Sequence, residues 1–106
     1  MTDALVVFCT CSSREEALKL AHAVVSEEAA ACVNIIPLVE SVYRWEGEIE
    51  TAQEVLLLIK TTRERFDALR DLLVKLHSYD TPEVIAMPVV AGLPKYLAWL
   101  GATIAT

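Results

Sequence analysis

Two cysteines two residues apart, Cys9 and Cys11, stand in an apolar run, and a polar group of His77, Tyr79, Asp80 and Glu83 stands in the last third of the chain. On a strand, residues i and i+2 share a face. A pair of thiolates with an imidazole nearby suits a soft ion such as Cu(I), or Zn2+. Free cysteine is also one of the most buried residue types and packs as a small hydrophobe, so packing competes with ligation at Cys9, and more strongly at Cys11. Cys32, at a helix-to-strand junction, reads as packing. His77 falls in the last turn of a helix, where an imidazole also complements the negative end of the dipole, so capping and ligation both stay open. His22, mid-helix on a solvated register, reads as neither. Tyr79, Asp80 and Glu83 offer hard oxygens, although Asp80 close to Pro82 is also ordinary turn chemistry. Glu83 enters an apolar strand, so it must lie exposed at an edge or find a partner such as Lys60 or Arg44; an unpaired buried carboxylate costs on the order of several kcal/mol.

Other chemistries lack their residues. There is no G-x-S-x-G, no H-E-x-x-H and no glycine-rich phosphate loop, since Gly47, Gly92 and Gly101 stand alone. The expectation is therefore a protein that is not an enzyme. Fifteen Asp and Glu against nine Lys and Arg give a net charge of −6, a field that repels phosphate backbones. The aromatic strand motif of RNA-binding ferredoxin-like modules is missing as well, so no nucleic-acid partner is expected. No apolar run approaches the ~20 residues of a membrane span, and Asp3 stands where a signal peptide would be basic. With three cysteines, an odd count that disfavours a disulfide framework, the expected compartment is the cytoplasm.

The elements that must position these groups read in the order β-α-β-β-α-β-α, over one domain spanning residues 1–106. "ALVVFCT" is a short central strand. Ser12 with Glu15, or Ser13 with Glu16, has capping-box spacing, and Leu18, Ala21, Val24 and Val25 recur at helical intervals, which predicts a helix over 13–28. Alternating residues on either side of Gly47 predict two long antiparallel strands, about 33–46 and 48–61, with Pro37 at a bulge or an edge. Thr61 with Glu64 has capping-box spacing ahead of Phe66, Leu69, Leu73 and Leu76, a second helix ending near His77. "EVIAMPVV" predicts a further strand, and Pro94 opens a helix with Leu97, Leu100 and Ile104 on its apolar face. This order is the ferredoxin-like α+β split arrangement, four antiparallel strands with both main helices on one face. A composition that is 55% hydrophobic is rich for so thin a core. The surplus, with the overlong hairpin, predicts burial against copies of the same chain.

Several stretches, "CVNIIP", "SVYRWEGEIE", "HSYDTPEVIAMPV" and "YLAWL", fall in the order and spacing of one family, and across nearly its whole length the chain resembles the CutA divalent-cation tolerance family. The resemblance implies a homotrimer of ferredoxin-like subunits whose hairpins extend the sheets across subunit boundaries, and a role in tolerance of copper or other divalent metal ions. It implies that Cys9 corresponds to a cysteine treated as a copper ligand in bacterial members and that His77 matches one of its histidine partners. The chain departs from the family's common "HPY" at His77-Ser78-Tyr79, and has Leu76-His77 where some members have two adjacent histidines. At a subunit boundary, Arg44, Trp45 and Tyr43 could wall a pocket with Lys60, Tyr79 and Glu83; the competing reading makes the aromatics plain trimer contacts. The trimer is also similar to that of nitrogen-regulatory signalling proteins, so a sensor or adaptor binding a small metabolite or a partner protein at inter-subunit clefts is the alternative function.

Overall fold

The computed structural model describes residues 2–105, with elements β1 (Ala4–Cys11), α1 (Arg14–Ser26), β2 (Cys32–Trp45), β3 (Glu48–Thr62), α2 (Phe66–Leu76), β4 (Ile85–Pro88) and α3 (Pro94–Thr103). The four strands form one antiparallel sheet in the order β2-β3-β1-β4, the ferredoxin-like arrangement expected from the sequence.

Strand parity decides where the core lies. Leu5, Val7, Cys9 and Cys11 of β1 face Thr61, Ile59, Leu57 and Val55 of β3 across the ladder, and all eight are buried. Ala17, Leu20 and Val24 of α1 and Leu69 and Leu73 of α2 close over the hydrophobic members of that face to make the main core. Full burial of a Leu, Ile or Val side chain is worth ~1.5–3 kcal/mol, so this layer dominates stability. On α1 the buried stripe is Ala17, Leu20, Ala21 and Val24; the expected Leu18 is half-buried and Val25 exposed, a rotation of the apolar face by about one residue. The opposite sheet face is covered at one end only, where Leu100 and Ile104 of α3 pack with Ala4, Ala31, Leu97 and Val89. Beyond that end, Ile36, Ile85 and Met87 remain exposed beside half-buried Phe8, Leu56 and Leu58.

The hairpin of β2 and β3 turns on Glu46 and Gly47, both at positive φ (50° and 83°), which is what a two-residue type I′ turn requires. The ladder slips between Ile36 and Val39, so Pro37 lies at a bulge on an edge strand, where its missing N–H breaks no central ladder. The fold measures 44 × 25 × 22 Å.

Two expectations change. The Thr61–Glu64 capping box does not form. β3 runs on to Thr62, α2 starts at Phe66 with no side-chain cap, and the Thr61 hydroxyl instead donates to the Ala29 carbonyl at 2.7 Å. Sheet parity points Thr61 inward, where a buried hydroxyl must find a partner. The last strand is also shorter than read, since only Ile85–Pro88 pairs with β1. At the other capping box, Ser13 Oγ accepts the Glu16 amide at 3.1 Å, as its spacing predicts.

Candidate functional site

The carbonyl of Thr10, near the end of β1, gathers two of the predicted site residues. His77 caps the C-terminus of α2, with its side chain 0% exposed, and its Nε2 lies 2.7 Å from that oxygen. Its Nδ1 accepts the Tyr79 amide at 3.0 Å, which assigns the proton to Nε2 as donor to the carbonyl. The Cys9 Sγ lies 3.8 Å from the same carbonyl oxygen. Cys9 and His77 therefore meet around one acceptor, although α2 and β1 are far apart in sequence. Burial, then the neighbouring Cys11 and the carboxylates of Glu83, Glu16 and Glu54, push the Cys9 thiol up to about 12; it stays protonated at neutral pH. Cys11 is pushed to about 11, by burial first and then by Glu16.

Glu16 ties these segments together. Its carboxylate accepts the Ser12 amide at 3.1 Å, the Ser12 hydroxyl at 3.0 Å and the Ser78 amide at 2.7 Å, and one oxygen lies 3.7 Å from His77 Nδ1. Burial alone would push the carboxyl up, but the donors of Ser78 and Ser12 outweigh it and hold the group at about 2. The reading of Glu16 as half of a capping box missed this bridge, because the donor that closes it, the Ser78 amide, comes from a loop sixty-two residues away.

Beside this network a groove of about 800 Å³ opens between the hairpin and the loop after α2. Tyr43 and Trp45 line it from β2, Glu54 from β3, and Tyr79, Asp80 and Glu83 from the loop. The Tyr79 hydroxyl donates to Glu54 Oε2 at 2.7 Å, and the Tyr79 and His77 rings pack 4.6 Å apart. Burial first, and then Glu54, push the Tyr79 hydroxyl well above the usual phenol range, so it remains a donor. Of the residues grouped from the sequence, Tyr43, Trp45, Tyr79 and Glu83 line the groove. Arg44 and Lys60 lie outside it. Arg44 pairs with Ile49 on the other face of the hairpin and donates to the Gly47 carbonyl at 3.4 Å. Lys60 lies six residues along β3 from Glu54, ~20 Å at the usual rise of a strand. Neither pairs with Glu83 among the described residues, and Glu83 is exposed. Glu54 escaped the sequence reading. Its signal is parity, since it shares the face of Leu56 and Leu58 and so puts a carboxylate on an apolar stripe. Among the described residues no three His, Cys, Asp or Glu side chains are arranged to hold one metal ion.

Residues 5–103 match the family described as CutA1 divalent ion tolerance protein. The chain is 48% identical over 96 residues to the chloroplastic protein CutA of Arabidopsis thaliana, covering 91% of this chain and 53% of that one. It is 47% identical to the divalent-cation tolerance protein CutA of Thermus thermophilus, covering 90% and 92%. This chain thus spans about half the length of the plant relative. A crystal structure of CutA from Xylella fastidiosa superimposes with a TM-score of 0.95 at 43% identity, covering 97% of this chain and 99% of that one.

Proposed function

This chain belongs to the CutA1 divalent ion tolerance family, and we propose that it acts as a homotrimer that binds copper or other divalent metal ions weakly and serves the response to them. The carrying observation is that Cys9 Sγ and His77 Nε2 converge on the Thr10 carbonyl. Sulfur and imidazole nitrogen match a soft or borderline ion in type. They supply two ligands, and each is already spent on the carbonyl, so an ion would have to displace those bonds, the thiol proton and the Nε2 proton of His77. Weak, pH-dependent binding follows.

The trimer is supported by the apolar surface that one chain leaves open: Ile36, Ile85 and Met87 on the sheet, and Val42, Trp45 and Ile49 on the hairpin, between 36% and 69% exposed. Clusters of exposed apolar side chains on soluble proteins mark contact sites, and a closed ring of identical subunits covers them without leaving a free edge. Three free cysteines favour a reducing compartment, hence the cytoplasm. Among the described residues no helix is long and apolar enough to cross a membrane. The reading is of a binding protein, with neither nucleic acid nor membrane as partner.

Titration calorimetry with Zn2+, and with copper under reducing conditions, tests the ligands. Cys9→Ala and His77→Ala should each weaken binding at least tenfold; unchanged binding in both variants removes the pair from the site. The groove favours a second reading, a trimeric sensor or adaptor that holds a small metabolite or a partner protein between subunits. A thermal-shift screen against small metabolites separates the two, because a metal binder alone gives no response there.

A further inference from the structure

Both nitrogens of the His77 ring are occupied before any ion arrives. Nε2 donates to the Thr10 carbonyl at 2.7 Å, and Nδ1 accepts the Tyr79 amide at 3.0 Å. An ion held together with Cys9 takes Nε2, because that nitrogen shares the Thr10 carbonyl with Cys9 Sγ. A ligating imidazole nitrogen carries no proton, and a ring that stays neutral then carries its one proton on the other nitrogen. Nδ1–H would meet the Tyr79 N–H donor against donor. That proton needs a different acceptor.

Glu16 is the acceptor within reach. Its Oε2 lies 3.7 Å from Nδ1, and it is the one carboxylate paired with His77 among the described residues. The His77 side chain is 0% exposed and that of Glu16 12%, so the contact is made within one chain whatever its copies cover. Oε1 is held by the Ser12 amide and hydroxyl, and Oε2 by the Ser78 amide at 2.7 Å; a carboxylate oxygen can accept more than one donor. The same donors keep the group ionised at neutral pH. Closing the gap to an ordinary N–H···O length of about 2.9 Å asks the ring to move by less than about 1 Å. Metal-ligating histidines generally pass their second ring N–H to a carboxylate or carbonyl, which fixes the tautomer and raises the basicity of the ligating nitrogen. The Tyr79 amide then loses its acceptor, in a segment whose ring packs 4.6 Å from His77 and whose hydroxyl reaches Glu54 of β3.

We propose that Glu16 is the positioning residue of this site: as an ion takes Nε2, the ring proton is relocated to Nδ1 and donated to Glu16 Oε2, and the Tyr79 amide is released. The proton given up at Nε2 is regained at Nδ1 through solvent. The ring therefore stays neutral, and the one proton lost per ion is that of the Cys9 thiol. The proposal rests on the metal reading above and gives occupancy a structural consequence, since an ion at Cys9 and His77 frees the segment that carries Tyr79 beside β3.

The test uses the full chain carrying His22→Gln, which leaves His77 as the single imidazole, with Zn2+ as a diamagnetic probe. Nitrogen–proton correlation spectra of the ring report which nitrogen holds the proton. It is expected on Nε2 in the free protein and on Nδ1 in the Zn2+-loaded protein, with the Tyr79 amide exchanging at least tenfold faster after loading. Glu16→Gln keeps the side-chain size but weakens the acceptor, and should weaken Zn2+ binding about tenfold in calorimetry. Thr61→Val, which destabilises the fold away from the site, should leave that affinity within about twofold, so a general loss of stability is told apart from lost positioning. Zn2+ binding that is lost in Cys9→Ala and His77→Ala but keeps the proton on Nε2, or leaves Tyr79 exchange unchanged, overturns this proposal and spares the metal reading. Full affinity in Glu16→Gln does the same. Absence of Zn2+ binding to the wild-type chain overturns both.

Discussion

Glu16→Gln removes a charge without changing the size of the side chain, at the point where the β1–α1 turn meets the loop that carries His77 and Tyr79. The folded carboxyl is held at about 2 against an ordinary value of 4.5, equivalent to roughly 3 kcal/mol of preference for the ionised form at 1.36 kcal/mol per pH unit. The side chain is still 12% exposed, and Gln keeps one acceptor oxygen, so the expected penalty at pH 7 is about 2 kcal/mol. Its pH dependence is the sharper signature. Between about 2 and 4.5 the unfolded chain binds a proton that the folded chain refuses, so stability falls as pH falls. The wild-type advantage should be fully present above pH 4.5 and shrink below ~0.5 kcal/mol near pH 2. Urea unfolding followed by far-UV circular dichroism, at one protein concentration and at intervals from pH 7 to pH 2, measures the difference between the two proteins. A penalty that stays constant across that range would show that the ionised carboxylate is not what holds the two segments together.

Three further outcomes follow from the same geometry. Thr61→Val keeps the side-chain shape but leaves the Ala29 carbonyl without its 2.7 Å donor, and should cost about 1–2 kcal/mol in chemical denaturation. Glu28 holds a φ of 56° just after α1, a left-handed conformation that favours glycine. Glu28→Gly should stabilise the fold by about 0.5–1 kcal/mol, because the bond from Arg65 Nε at 2.9 Å goes to the residue 28 backbone carbonyl and survives the change. Because burial pushes the Cys9 thiol up to about 12 and its proton must leave before the sulfur ligates, apparent soft-metal affinity should rise about tenfold per pH unit between pH 6 and 8. Calorimetry at three pH values reads that slope, and Cys9→Ala should flatten it.

Much of the framework was legible because it is encoded locally. Alternation around Gly47 placed both hairpin strands to within one residue, Pro37 announced the bulge, and Ser13 with Glu16 announced the start of α1. The start of α2 was misread because a Thr-x-x-Glu spacing carries no information about which way the threonine points. Strand parity, set by the pairing of β1 with β3, turned Thr61 into the core and gave its hydroxyl to Ala29. Site residues contributed by different segments were harder still. Tyr79 and Glu83 drew attention by type and Trp45 by its place on the hairpin, but Glu54 and the bridging role of Glu16 depend on contacts across twenty-five and sixty-two residues. Arg44 and Lys60 were grouped with the groove by charge alone, and the alternation and rise of the strands carry them away from it.

The account rests on the open sheet face and the hairpin being hidden against two further copies of the chain. Sedimentation equilibrium at micromolar concentration in reducing buffer tests this directly. A single species of three chain masses, unchanged on tenfold dilution, is the predicted result. A stable, soluble monomer under the same conditions would contradict it.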